Sequence, residues 1–284
     1  MTLFELVKLA LDELYAEGSA IYGSALDAEI KKRMAYLSMC YGSLNNMSRT
    51  PIDYKDPATR FAYVYKYTAS HGDYVVQALQ SVPVAVFPSS NTRLSCIGGG
   101  PGSDIVGVIK FIADSGIKLD RLTCYLVDGE QAWADTWTEI GDALSASVPV
   151  NVNFQPLDVT QPSTWSSQKK FLSADLFTLS YFVSEVMAFD QTGVVTQFWK
   201  MLFDEAKSGA KFVYVDNGHS DFNEYFDYQW SKARSDVKCL YSFDNNRMLP
   251  RFSEQTDSVA IYKAKFGQSP KVQSYLSIRI LEKS

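Results

Sequence analysis

The sequence predicts an α/β protein, with a mostly parallel sheet covered by helices, an antiparallel C-terminal edge strand and a helical extension in front. Three observations predict it. From Arg93 onward, short apolar runs alternate with amphipathic stretches at helical spacing. A glycine cluster, Gly98, Gly99, Gly100 and Gly102, sits at the first strand-to-helix junction. Residues 1 to about 90 carry helical rather than alternating periodicity.

In the extension, Leu3, Leu6, Val7, Ala10, Leu11 and Leu14 mark one face of a first helix. Residues 59–79 can form another, and NNMSRTPIDYKDP between them reads as a loop from its Pro, Asn and Asp content. The segment VPVAVFPSSN leads out of this region. RLSCIG is then a first strand, and DIVGVIKFIADSG a helix stopped by Gly116. LTCYLVD is a second strand, GEQAWADTWTEIGDALS a second helix, VNVNFQPLD a third strand and ADLFTLSYF a fourth. VVTQFWKMLFDEAKSG is a helix running into a fifth strand, AKFVYVD. Repeated alternation of this kind builds a parallel sheet covered on both faces. VKCLYSF and SVAIYKAKF lie close enough to pair as an antiparallel edge. The expected division is a helical cap over residues 1–90, on the substrate side, and a ligand-binding domain over residues 91–284.

Composition narrows the function classes. With 284 residues the chain can bury one substantial core, and 46% hydrophobic against 21% charged residues leaves no dominant disordered segment. The formal net charge of -5 gives no global footprint of a nucleic-acid binder. No run of about 18 apolar residues suggests a membrane span, and Glu5, Asp12 and Glu13 stand where a leader would be basic, so a cytoplasmic location is expected. The four cysteines are widely spaced with no Cys/His cluster, so no metal site is expected. Cys96, Cys124 and Cys239, in apolar strand-like runs, read as buried reduced thiols.

The glycine cluster lies where an open α/β sheet binds a nucleotide-like ligand, at its carboxyl edge. Glycines there let the backbone turn tightly and approach a ligand, beside the free N–H groups of the following helix. No Gly-Lys-Ser/Thr follows, so this is not a phosphate-binding P-loop. A dinucleotide site competes, because Gly98-x-Gly100-x-x-Ser103 partly matches its fingerprint. Asp128, ending the second strand, suits a ribose diol in either case. Asp158, ending the third, can meet an adenine amino group, which favours a methyl donor over NAD. Each aspartate alone could equally be a helix cap.

CIGGGPGSD, YLVDGEQAW, FQPLDVT, DLFTLSYFVSEV and AKFVYVDNG, in that order, resemble the successive motifs of class I Rossmann-like S-adenosylmethionine-dependent methyltransferases, over about residues 93–265. That resemblance implies a methyltransferase with S-adenosylmethionine as cofactor. It places Gly98, Gly99, Gly100 and Gly102 around the amino-acid end of the cofactor, Asp128 at the ribose, Asp158 and Val159 at the adenine, and Ser180 and Tyr181 beside the methyl. Cys96 departs from the pattern, standing where a first-strand acid is common. SYFVSEV and RFAYVYKYTASH are loosely similar to methyltransferase-like proteins of the mitochondrial small ribosomal subunit, without their cysteine cluster.

The cofactor brings its own electrophile, so the protein needs chiefly to aim a nucleophile and, for some acceptors, to take a proton. Candidates for that work are Tyr181, Glu185 and His219, the last favoured because imidazole titrates near neutrality. Asp216, Asn217 and Asp221, with Tyr22, Tyr41 and His71 from the extension, are candidates on the substrate side. The extension's tyrosines at helical spacing also read as simple core. A small-molecule or protein acceptor is favoured over RNA by the charge; an RNA methyltransferase and a non-catalytic sensor or scaffold are the alternatives.

Overall fold

A computed structural model describes residues 2–82, 86–144, 148–166, 168–232, 236–251 and 254–284, apart from the side chains of Glu139, Ala143 and Lys232. The opening helix α1 (Leu3–Tyr22) starts on a capping box, with Thr2 Oγ1 accepting from the Glu5 N–H at 3.1 Å and Glu5 Oε2 from the Thr2 N–H at 2.6 Å. Its apolar face is the one the spacing predicts, and all six residues are buried. A short 3₁₀ turn leads to α2 (Leu26–Tyr41). After the loop, α3 (Pro57–Tyr63) begins with Asp56 as N-cap and Pro57 in the first turn. It passes through a π-turn at Val64–Thr68 into α4 (Ala69–Gln80), so the predicted helix over 59–79 is present but widened in the middle. Residues 83–85 of VPVAVFPSSN lie outside the described residues.

The sheet then builds in order: β1 (Asn91–Ile97), α5 (Ser103–Asp114), β2 (Arg121–Asp128), α6 (Ala132–Ala143), β3 (Val150–Pro156), the short α7 (Pro162–Trp165), β4 (Leu176–Ser180), α8 (Phe182–Val186), α9 (Val194–Glu205), β5 (Lys211–Asn217), α10 (Ser220–Asp227), β6 (Val237–Met248), α11 (Ala260–Phe266) and β7 (Ser274–Lys283). Ser145, the expected end of the second sheet-region helix, lies outside the described residues. Spatial order is β3-β2-β1-β4-β5-β7-β6, with β1 to β5 parallel and β7 antiparallel to both neighbours. The expected mostly parallel sheet with an antiparallel C-terminal region is therefore the observed architecture, and the order of the strands reverses between β1 and β4, where such sheets open a crevice.

Two expectations about this end of the chain are corrected. SVAIYKAKF is not a strand: its apolar Val259, Tyr262 and Phe266 recur at three and four residues, and this face packs in α11 and the preceding turn against Phe61 and Tyr65. The partner of VKCLYSF is β7, whose Leu276, Ile278 and Ile280 alternate into the core. Because β7 inserts beside β5, β6 becomes the edge, bulged twice along its pairing, and Cys239 on it is exposed rather than buried. Cys96 and Cys124, on central strands, are buried as expected.

The extension does not stand apart from the sheet. Helix α4 lies directly on α5, where a Cβ added at Gly107 would come within 2.4 Å of the Gly72 carbonyl, so only glycine permits this backbone approach. The first three helices share one apolar cluster with Val106, Trp133 and Ile140 of α5 and α6.

Candidate functional site

The carboxyl ends of β1 to β4 surround a cavity of ≈ 590 Å³, within the range of small-molecule sites. Gly98 lines it after β1, Asp128 and Glu130 after β2, Leu157, Asp158 and Val159 after β3, and Ser180, Tyr181, Phe182 and Glu185 after β4. Its roof is the segment between α2 and α3 with the last residue of α3, through Arg49, Ile52, Tyr54 and Tyr63. Four lining carboxylates, Asp128, Glu130, Asp158 and Glu185, face one guanidinium, Arg49, so a cationic occupant is favoured.

The glycine turn has left-handed φ at Gly98, Gly100 and Gly102 (64°, 49° and 84°), backbone that side chains resist. What occupies the vacated space differs along it. Side chains at Gly98, Gly99 and Gly102 would strike Phe182, Leu126 and Trp137, whereas Gly100 has nothing nearer than 3.9 Å, at Trp133. Much of the glycine requirement is thus packing, and of the four only Gly98 lines the cavity.

Asp128 is half-buried, its Oδ2 accepting from the Gly100 N–H and its Oδ1 from the Glu130 N–H, both at 2.9 Å. It ties the first two loops together. Burial pushes its carboxyl up to about 6 against those backbone donors. Asp158 holds its own loop, accepting from the Thr160 N–H and hydroxyl and from Gln161 Nε2. A carboxylate has about four acceptor positions, so both aspartates keep capacity for a ligand.

Tyr181 has φ 55°, a left-handed conformation rare for a bulky residue, and its ring stacks on His71 with centroids 3.8 Å apart. Burial pushes the His71 imidazole well below its usual range. Glu185 Oε1 accepts from the Tyr41 hydroxyl at 2.8 Å, and that hydroxyl lies 2.6 Å from the hydroxyl of Tyr54. Arg49 donates to the Glu185 carbonyl and lies over the Phe189 ring. Burial raises the Glu185 carboxyl to about 7, opposed by Tyr41 and Arg49.

Other expected site residues lie elsewhere. Tyr22 does not line the cavity: its hydroxyl donates to Asp56 Oδ1 at 2.8 Å, at the N-cap of α3. Tyr41 does not line the cavity but touches it through Glu185 and Tyr54. Asp216 is fully buried and accepts from the Ser184 N–H at 2.9 Å, fastening α8 to β5, with Asn217 bonded to Ser184 Oγ at 3.2 Å. Asn217 and His219 border a second hollow, with Lys271 and Tyr275. His219 caps α10, its Nδ1 accepting from the Asp221 N–H at 3.2 Å, so it does not face the main cavity. Arg49, Tyr54, Tyr63 and Phe182 were not singled out by sequence reasoning as site residues. Arg49 falls in a stretch legible only as a connector, and Tyr63 belongs to a tyrosine series with no single distinguishing member.

No protein-family model and no curated protein sequence matches the chain. Solved structures similar to it include a Listeria monocytogenes protein provisionally described as a class I S-adenosylmethionine-dependent methyltransferase (14% identity, 99% of this chain and 88% of that one, TM-score 0.45). The 16S rRNA methylase ArmA is another (11%, 88% and 98%, TM-score 0.42). So is the N-methyltransferase NodS of Bradyrhizobium japonicum (10%, 75% and 93%, TM-score 0.37). At these identities and TM-scores, none of them says what this chain binds or does. Among the described residues, no group of three or more His, Cys, Asp or Glu is placed to hold a metal ion, and no helix is long and apolar enough to cross a membrane.

Proposed function

We propose that the chain is an S-adenosylmethionine-dependent methyltransferase acting on a small molecule or a protein side chain. The observation that carries this reading is the cavity itself. At the point where strand order reverses, it joins the glycine turn, Asp128 and Asp158 in a wall of four carboxylates against one guanidinium. That balance suits a sulfonium better than the pyrophosphate of a dinucleotide.

When bound, S-adenosylmethionine supplies an electrophilic methyl group. Asp128 would accept the ribose hydroxyls, and Asp158 with the apolar Val159 would hold the adenine. Phe182 and the roof residues Tyr54 and Tyr63 exclude water from the cavity. Glu185 is the group placed to take a proton from an acceptor, since its carboxyl rises to about 7 and Tyr41 fixes one of its oxygens. His219 drops out of that role in this reading, because it caps a helix beside the other hollow. The likeness to ribosome-associated proteins adds no residue to the site.

Titration calorimetry with S-adenosylmethionine, S-adenosylhomocysteine and NADH tests the proposal. Micromolar binding of either sulfur compound and none of NADH is expected; the reverse would reject it.

A further inference from the structure

The part of the cavity supplied by the N-terminal extension is aromatic. Tyr54 and Tyr63 line it with ring centroids 5.4 Å apart and planes at 81°, so the two rings form a corner. The Trp133 ring backs both, its centroid 4.9 Å from that of Tyr54 and 5.4 Å from that of Tyr63. Phe189 also lines the cavity and already carries a cation, the Arg49 guanidinium 4.5 Å from its centroid.

Glu185 brings charge to this corner. The Tyr41 hydroxyl joins the two, lying 2.8 Å from Glu185 Oε1 and 2.6 Å from the Tyr54 hydroxyl. Glu185 Oε2 makes no hydrogen bond among the described residues. Arg49, the guanidinium in the cavity lining, donates to the Glu185 backbone carbonyl rather than to its carboxylate. A carboxylate with a free oxygen thus stands at the edge of two perpendicular rings. Such rings attract a cation, and a carboxylate adds a charge-assisted bond to any N–H the cation carries. An anionic acceptor would meet repulsion from all four lining carboxylates, and a neutral alcohol would gain little from them. S-adenosylmethionine carries one net positive charge, too little to offset those carboxylates even with Arg49, so the preference persists when it is bound.

We propose that the methyl acceptor is an amine, seated as its ammonium between the Tyr54–Tyr63 corner and the Glu185 carboxylate. This rests on the reading of the cavity as a cofactor site. Before transfer the ammonium gives one proton to Glu185. The nitrogen lone pair then forms the bond to the methyl carbon while the carbon–sulfur bond breaks, and that electron pair stays on sulfur as a neutral thioether. The product is an ammonium with one methyl more and one N–H fewer, which the tyrosine corner still attracts by its charge.

The test is a ligand-observed NMR titration of the full chain saturated with S-adenosylhomocysteine, at about pH 8, above the Glu185 value of about 7. The probes are benzylamine, benzyltrimethylammonium, benzyl alcohol and benzoate, with Nα-acetyl-lysine methylamide standing for a protein side chain. Benzylamine is expected to bind about tenfold or more tighter than benzyl alcohol, the quaternary cation about threefold or more tighter, and benzoate most weakly. Glu185→Gln should cut the advantage of benzylamine about fivefold or more. Tyr54→Leu should weaken both benzyl cations and leave benzyl alcohol within about twofold, and it serves if Glu185→Gln does not fold. Tighter binding of benzylamine than of the lysine probe assigns a free amine, the reverse a protein lysine, and either supports the amine class. Benzyl alcohol or benzoate binding as tightly as benzylamine, no binding of any cation to the S-adenosylhomocysteine complex, or selectivity unchanged in both variants would overturn the amine proposal alone. Failure of S-adenosylhomocysteine itself to bind would remove the cofactor reading, and this proposal with it.

Discussion

Under the proposed function Asp128 and Glu185 have different duties in the cavity they both line, and their partners separate them. Asp128 is held by two backbone N–H groups, so its place is set by the loops it joins. Asp128→Ala should weaken S-adenosylmethionine binding by about 1.5 to 3 kcal/mol, the range for bonds to a charged group, as read by calorimetry. Glu185 is held by a tyrosine hydroxyl that could be removed without emptying the space. Tyr41→Phe is expected to slow turnover of an acceptor more than it weakens cofactor binding. Tyr22→Phe, which loses a bond to Asp56, should cost about 0.5 to 1.5 kcal/mol of stability and leave kcat unchanged. Equal loss of kcat in both variants would contradict this separation. At this scale the sequence was legible where a residue ends a strand, as with Asp128, Asp158 and Ser180, because strand ends converge by topology. It was illegible where a side chain could point either way from a loop or helix: His219 caps a helix, Tyr22 bonds to the capping Asp56, and Arg49 reaches the cavity from a connector.

Among the elements, α4 and α5 are joined backbone to backbone. Gly107→Ala would place a Cβ 2.4 Å from the Gly72 carbonyl and 3.0 Å from Val75 Cβ. Separating the helices is expected to cost about 1 to 3 kcal/mol in urea unfolding, the usual penalty of overpacking. The shift would move α4, and with it His71, under the ring of Tyr181, so cofactor affinity should fall as well. Alternation of strand and helix made β1 to β5 readable in order, since each is a short apolar run between turn signals. SVAIYKAKF was misread because a nine-residue segment with Val259, Tyr262 and Phe266 contains too few turns for a helical period to outweigh an alternating one.

For the whole molecule, buried carboxyls set the dependence of stability on pH. Folded Glu185 titrates at about 7 against a reference of 4.5, and Asp104, Asp128 and Asp216 at about 6 against 3.8. Between those values the native state binds more protons than the unfolded chain, so stability falls as pH rises through this window and levels off above it. Urea unfolding of the ligand-free protein should show lower stability at about pH 7.5 than at about pH 5.5, and Glu185→Gln should remove about 2 kcal/mol of that difference. A wild-type profile that rises over this interval would show these carboxyls to be solvated.

The place of β7 between β5 and β6 also bears on how the chain is made. While it emerges from a ribosome, β1 to β5 can pair as each appears, but β6 has no neighbour until Ser274–Lys283 follows it. The Leu3 N–H donates at 2.5 Å to Glu254, a residue 251 positions later, so this contact of the first helix also waits for the C-terminal region. A nascent chain therefore carries an unpaired twelve-residue strand until β7 has been made, which is the interval in which a chaperone would have most to shield.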